Sequence, residues 1–172
     1  MAEAQVLVAR KEGVLQVRVI GRATFKVSRE LREYGVQTVN DGICSVIIDL
    51  SQCEGMDSTF MGVLAMIGLE AKGKARVLVV NANDKLRKLL DSIGVSRLVE
   101  FTQKKMDEIT WSRLCEAAKE SGDMNQMADT IREAHKTLMD ISSENVPKFK
   151  NVVDMLSSDM NENEKSNSKQ EK

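Results

Sequence analysis

The chain has a single histidine, three cysteines and no long apolar run among its 172 residues, and each shortage removes a class of function. With His135 alone, a metal centre built on imidazole ligands is excluded, and no carboxylates fall at a ligand spacing. Neither a metal nor a cofactor is therefore expected. Cys44, Cys53 and Cys115 are odd in number and widely spaced, which fits neither a disulfide framework nor a zinc site. Reduced thiols are expected, with Cys115 packed. No stretch approaches the roughly 18 apolar residues needed to span a bilayer, and the opening "MAEAQVLVARKEG" has no basic segment followed by an apolar one. The expectation is a soluble, cytoplasmic protein without direct membrane insertion. A surplus of one charge is missing too: 25 basic and 26 acidic residues are interleaved, for a net charge of −1. Such a balance offers no electrostatic ground for binding nucleic acid or an anionic membrane. GxxxxGK[ST], GxGxxG after a strand and GxSxG are also absent, so nucleotide chemistry and serine hydrolysis by the common motifs are disfavoured.

What is present is a patterned chain long enough for one domain and an appendage. Leu15, Val17 and Val19 alternate with Gln16 and Arg18, the period of a strand, and Val6–Val8 offers a partner strand across a turn at Arg10–Gly13. Ser28, with Glu30 in the first turn, predicts the N-cap of a helix that ends near Asp41-Gly42. Val46–Leu50 and Arg76–Val80 are short, β-branched, mostly apolar runs, as expected of strands covered on both faces. Between them lies a helical segment, so the pair reads as a crossover unit. Asn83 or Asp84 caps a further helix whose Leu86, Leu89, Leu90 and Ile93 share one face before Gly94 stops it, and a short last strand is predicted at Leu98–Phe101. Beyond Phe101 three helical stripes follow: Trp111, Leu114, Cys115 and Ala118; Met124, Met127, Ala128, Ile131 and Leu138; Phe149, Val152, Val153 and Leu156. Gly122 and "SSENVP" punctuate them. From Ser157 on there is almost nothing to bury, and disorder is expected. His135 is expected to be structural or solvent-facing.

The junction "GMDSTFMG", Gly55 to Gly62, joins the strand to the helix of the crossover unit. Ser58 there predicts a helix N-cap, its hydroxyl accepting from the backbone N–H of Phe60 or Met61. The same position suits a modification site, because a phosphate at a helix start meets free N–H groups and the positive end of the dipole.

With that order of elements in place, "VIIDLSQCEGMDSTFMGVLAMIG" resembles the STAS domain of anti-sigma factor antagonists, in which an apolar strand ending Asp-Leu is followed by a loop and Asp-Ser-Ser-Gly-Leu-Gly-Val-Leu. Asp49-Leu50 match the strand end, Asp57 and Ser58 the phosphoacceptor pair, and Gly62, Val63 and Leu64 the helix. "RVLVVNANDKLRKLLDSIGVSRLVEF" is similar to the family's following strand, helix and final strand. The likeness covers about residues 5–101. It implies an α/β fold with a mixed sheet of four to five strands packed with helices, as a STAS domain over 1–101. A helical extension over 102–156 and a disordered tail over 157–172 complete the organisation.

The resemblance also implies a non-enzymatic function. An unphosphorylated antagonist binds an anti-sigma factor of the histidine-kinase-like ATPase fold and frees a sigma factor; that kinase phosphorylates the serine, and a PP2C-type phosphatase resets the switch. Ser58 would be the acceptor, with Thr59 as the alternative, and Thr24, Asp57, Thr59, Phe60 and Met61 would form the partner-binding surface. Thr59 and Phe60 stand where the family has serine and glycine, and Gly21-Arg22-Ala23-Thr24 where it often has Gly-x-Leu-Asp. The alternative is an unphosphorylated STAS-type scaffold in a stress-signalling or lipid-transport complex. A nucleophilic Ser58 is disfavoured, since no motif ties the one histidine to it. The extension is expected to fold back on itself or on the domain, with self-association as a homodimer or a second partner as the other outcomes.

Overall fold

The two β-branched runs sit at the middle of the sheet. The computed structural model describes residues 4–114 and 124–167. Its first part consists of β1 (Gln5–Lys11), β2 (Val14–Ala23), α1 (Phe25–Asn40), β3 (Ser45–Met56), α2 (Ser58–Ala71), β4 (Arg76–Val80), α3 (Asp84–Ser92) and β5 (Glu100–Thr102). The sheet order is β5-β4-β3-β2-β1-β6, where β6 is the two-residue strand Ser112–Arg113. β2, β3, β4 and β5 run parallel, and β1 pairs antiparallel with both β2 and β6. This is the expected mixed sheet, with one short strand added from beyond the domain.

Alternation puts Val6, Val8, Leu15, Val17, Val19, Val46, Ile48, Leu50, Val77 and Val79 on one face, all buried in the core. Arg18 and Asp49 lie on the other face and pair at 2.9 Å, with Asp49 fully buried. Burial pushes the Asp49 carboxyl up, but hydrogen bonds from Ser51, Asn81 and Arg18 outweigh it and hold it below the usual carboxylate value. The segment from 103 to 111 crosses this face. Lys104 exchanges hydrogen bonds with the side chain of Asn81 at one edge, and at the other the Trp111 ring lies 4.5 Å from the Arg18 guanidinium.

α1 begins four residues before the position expected, with its cap at Thr24 and not Ser28. Thr24, in extended conformation, is its N-cap and accepts from Lys26, while Ser28 is buried inside the helix with its hydroxyl donating to the Thr24 carbonyl. Back-bonding of this kind satisfies a serine within a helix, so Ser28 never signalled a start. The helix does end at Asp41-Gly42. α3 has Asn83 as its cap, accepting from Leu86, and Gly94 follows at φ 82°.

β3 runs past Leu50 to Met56 because the second half of β2 supplies a partner. Two register shifts, between Arg18 and Ile20 and between Gly21 and Arg22, each give β3 an extra residue, and pairing resumes at Arg22 with Gly55 and runs on to Ala23 with Met56. Two parallel strands therefore end side by side, and each turns directly into a helix. That register positions the site.

In the extension, Trp111 is not helical; it precedes β6, where a β-edge took the place of the expected helix. Cys115, Ala118 and Gly122 lie outside the described residues. α4 (Met124–Ile141) carries the second stripe and α5 (Val146–Asn167) the third. α4 packs on α2 and α1, and α5 packs on α4. The turn between them is fixed to the domain by Asn145, fully buried, whose amide donates to the carbonyls of Ile93 and Leu138. α5 continues past Ser157, where its composition predicts disorder; the stretch has little beyond the half-buried Met160 to cover, but also no glycine or proline to stop the preceding helix. Residues 168–172 are outside the description.

Candidate functional site

Asp57 stands where the ends of β2 and β3 meet. Its N–H donates to the Ala23 carbonyl at 3.0 Å, which fixes it against the start of α1. One carboxylate oxygen then accepts from the Phe60 N–H at 2.9 Å, capping α2, and the other accepts from the Phe25 N–H at 2.8 Å, at the first residue of α1. A single acid thus serves two helix N-termini, each with free donors and a positive dipole end. This explains the acid in "GMDSTFMG", and it corrects the expectation that Ser58 is the cap. Asp57 takes that place because a carboxylate can reach both helices, and Ser58 becomes the first residue of α2.

Relieved of capping, the Ser58 hydroxyl turns outward to the extension. It lies 2.8 Å from His135 Nε2. The other imidazole nitrogen, Nδ1, is 2.7 Å from the Ile131 carbonyl. A carbonyl can only accept, so Nδ1 carries the proton and Nε2 accepts from Ser58. His135 is 5 % exposed and its ring packs against Phe149 at 5.0 Å between centroids. The histidine is thus buried, and its ring touches the Ser58 hydroxyl. The sequence held a trace of this: His135 lies four residues after Ile131 and three before Leu138, on the apolar stripe of α4.

The remaining residues of the expected surface divide. Thr24, Asp57 and Ser58 are half-buried around the two helix starts. Thr59, Phe60 and Met61 are 4 %, 0 % and 5 % exposed, so in this arrangement none faces a partner. α2 is apolar on every face from Phe60 to Leu69, with Glu70 near its end, and packs against the sheet, α1 and α4. Phe60 is wholly buried in the core. Phe25, beside Asp57, is instead 38 % exposed.

α4 lies against α2 at Gly62. A Cβ on Gly62 would stand 2.6 Å from the Ala134 carbonyl oxygen and 2.7 Å from the Ala134 Cβ, closer than any side chain tolerates. Arg32 of α1 holds the same helix from the side, 3.3 Å from Asp129 and 3.4 Å from the Thr130 hydroxyl. Burial raises the Asp129 carboxyl, but hydrogen bonds from Arg132 and Arg32 prevail and keep it below its ordinary value.

Comparison with known proteins bears on the family and the fold. The family model described as "Mlab, STAS domain" matches residues 6–100, more than half of the chain. The chain belongs to the STAS domain family. The matched STAS domain ends at Glu100, so α4 and α5 lie outside it. Among solved structures, an anti-sigma factor antagonist from Mycobacterium paratuberculosis is similar, with a TM-score of 0.53 and 20 % identity over 69 % of this chain and 96 % of that one. The anti-sigma factor antagonist SpoIIAA in its unphosphorylated form is similar as well, with a TM-score of 0.51 and 16 % identity over 59 % of this chain and 89 % of that one. These likenesses establish the fold. A search of the curated proteins finds no match. Among the described residues, no helix is long and apolar enough to cross a membrane, and no group of three or more His, Cys, Asp or Glu side chains could hold a metal ion.

Proposed function

We propose that this STAS domain is a phosphorylation-controlled binding module of the anti-sigma factor antagonist type. In this reading the unphosphorylated chain binds an anti-sigma factor that is also a serine kinase, and thereby releases a sigma factor. Ser58 is the acceptor, a PP2C-type phosphatase removes the phosphate, and the protein acts in the cytoplasm without catalysing a reaction. The observation that carries the reading is the Asp57-Ser58 pair at the start of α2. Asp57 takes over the capping, so the Ser58 hydroxyl is free of the backbone and stands at the first residue of a helix, near the positive end of its dipole.

The Ser58 and His135 contact is not read as a hydrolytic dyad. His135 is buried, and the group that orients it is a neutral carbonyl, which stabilises an imidazolium less than a carboxylate does. Ser58 supports binding, not attack.

The test is to mix the full-length chain with the anti-sigma factor of its own organism, first with ADP and then with ATP. A complex is expected with ADP; with ATP, phosphate is transferred to Ser58 and the complex dissociates. A stable complex in ATP with Ser58 unmodified would favour the second reading, a constitutive STAS scaffold. The observation behind that second reading is the burial of Thr59, Phe60 and Met61 beneath the packed helices.

A further inference from the structure

The contact between α4 and the Ser58 face is built from three different interactions. The close approach at Gly62 and Ala134 lets two helix backbones meet with no side chain between them. The hydrogen bond from Ser58 to His135 satisfies a buried imidazole nitrogen. The pair of Arg32 with Asp129 fixes the register along α1. Arg32 and Asp129 are partly exposed, so this pair contributes direction more than affinity. Together they define a docking surface for one helix, with a small residue opposite Gly62, a hydrogen-bond acceptor opposite Ser58 and a carboxylate opposite Arg32.

We propose that the face formed by α1 and the start of α2 is a helix-docking surface that α4 of this same chain occupies at rest, so that a partner reaches Ser58 only once α4 has left it. The proposal rests on the reading of Ser58 as the partner-facing residue. α4 acts as an internal cover of the Ser58 face. Being joined to the domain, it competes at a high effective concentration, so the partner meets a surface that must first be vacated. His135 is the residue that ties vacancy to the acceptor, because α4 cannot leave without freeing the Ser58 hydroxyl.

The test uses the full chain with Ser58→Cys, whose thiol keeps a weak donor toward His135. Labelling by N-ethylmaleimide is followed by peptide-resolved mass spectrometry. Cys44 is exposed and serves as the reference, while Cys53 is buried and reports any loss of the fold. With α4 docked, the introduced thiol is expected to react at least about tenfold more slowly than Cys44. Adding Ala134→Leu, which forces a branched side chain into the Gly62 contact, is expected to raise that rate at least about tenfold with Cys53 still protected. Should Ala134→Leu expose Cys53, Asn145→Ala releases the same hairpin by removing its two bonds to the Ile93 and Leu138 carbonyls, and the same rise is expected. An introduced thiol as reactive as Cys44 in the parent overturns the proposal, and so does a rate that rises in neither variant. No kinase takes part in this experiment. Its failure would leave Ser58 phosphorylation untouched, whereas a Ser58 that is never phosphorylated would leave α4 as the cover of the site.

Discussion

In a titration against the anti-sigma factor, Ser58→Asp is expected to bind about two to three orders of magnitude more weakly than Ser58→Ala. Phosphorylation adds about −1.5 to −2 charges, and aspartate reproduces part of that charge at the first residue of α2, immediately beside the Asp57 carboxylate. A partner that covers this surface removes water from the new charge without supplying a cation for it, and an unmatched buried charge costs several kcal/mol. At roughly 1.4 kcal/mol per tenfold, about 3 to 4 kcal/mol accounts for the expected loss. Ser58→Ala adds no charge. It does remove the donor that satisfies His135 Nε2, which weakens the hold of α4 and leaves partner binding equal to or tighter than in the parent chain. Isothermal titration of both variants measures the difference, and equal affinities would contradict the switch.

Asp57→Ala is expected to lower stability by about 2 to 3 kcal/mol, an unusually large effect for a half-buried surface residue. The reason is its double role. Losing an N-cap acceptor costs about 1 kcal/mol, and this carboxylate caps α2 while also accepting from Phe25 at the start of α1. Its negative charge adds some tenths of a kcal/mol at each positive helix end. For a chain of this size the melting temperature should fall by about 5 to 10 °C. Asp57→Asn keeps one acceptor oxygen and loses the charge, so about half the effect is expected. Thermal unfolding followed by circular dichroism separates the three chains. If Asp57→Ala and Asp57→Asn melted together, the two-helix role would be wrong.

The elements that the sequence announced clearly are those whose local signals agree with their tertiary setting. Val46–Leu50 is buried throughout at the sheet centre, and Val77, Val79 and Val80 of the neighbouring run are buried beside it, as their composition suggests. α3, with Asn83 before it and Gly94 after it, carries its own start and stop. The Asp57-Ser58 pair was legible as a site because its residues lie together in sequence. Other features depend on contacts between distant residues. Ser28 resembled a cap, yet the parallel register of β2 with β3 brings the chain into helix at Phe25, and Thr24 takes that role. Trp111 fell on a helical period by coincidence, while the Arg18 guanidinium and the free edge of β1 drew its segment into a strap and a short strand. His135 was separated from Ser58 by 77 residues, and only the close approach of Ala134 to Gly62 brings them together. A stripe of apolar residues shows that a helix has a face. What that face covers is set by the surface it meets.

The central claim, that Ser58 is a switch, is tested most directly by intact-mass and peptide-mapping mass spectrometry of the protein purified from its native cells, with and without phosphatase treatment, across growth and stress conditions. The account predicts a removable phosphate on the peptide containing Ser58, at an occupancy that changes with condition. Ser58 unmodified under every condition would contradict it.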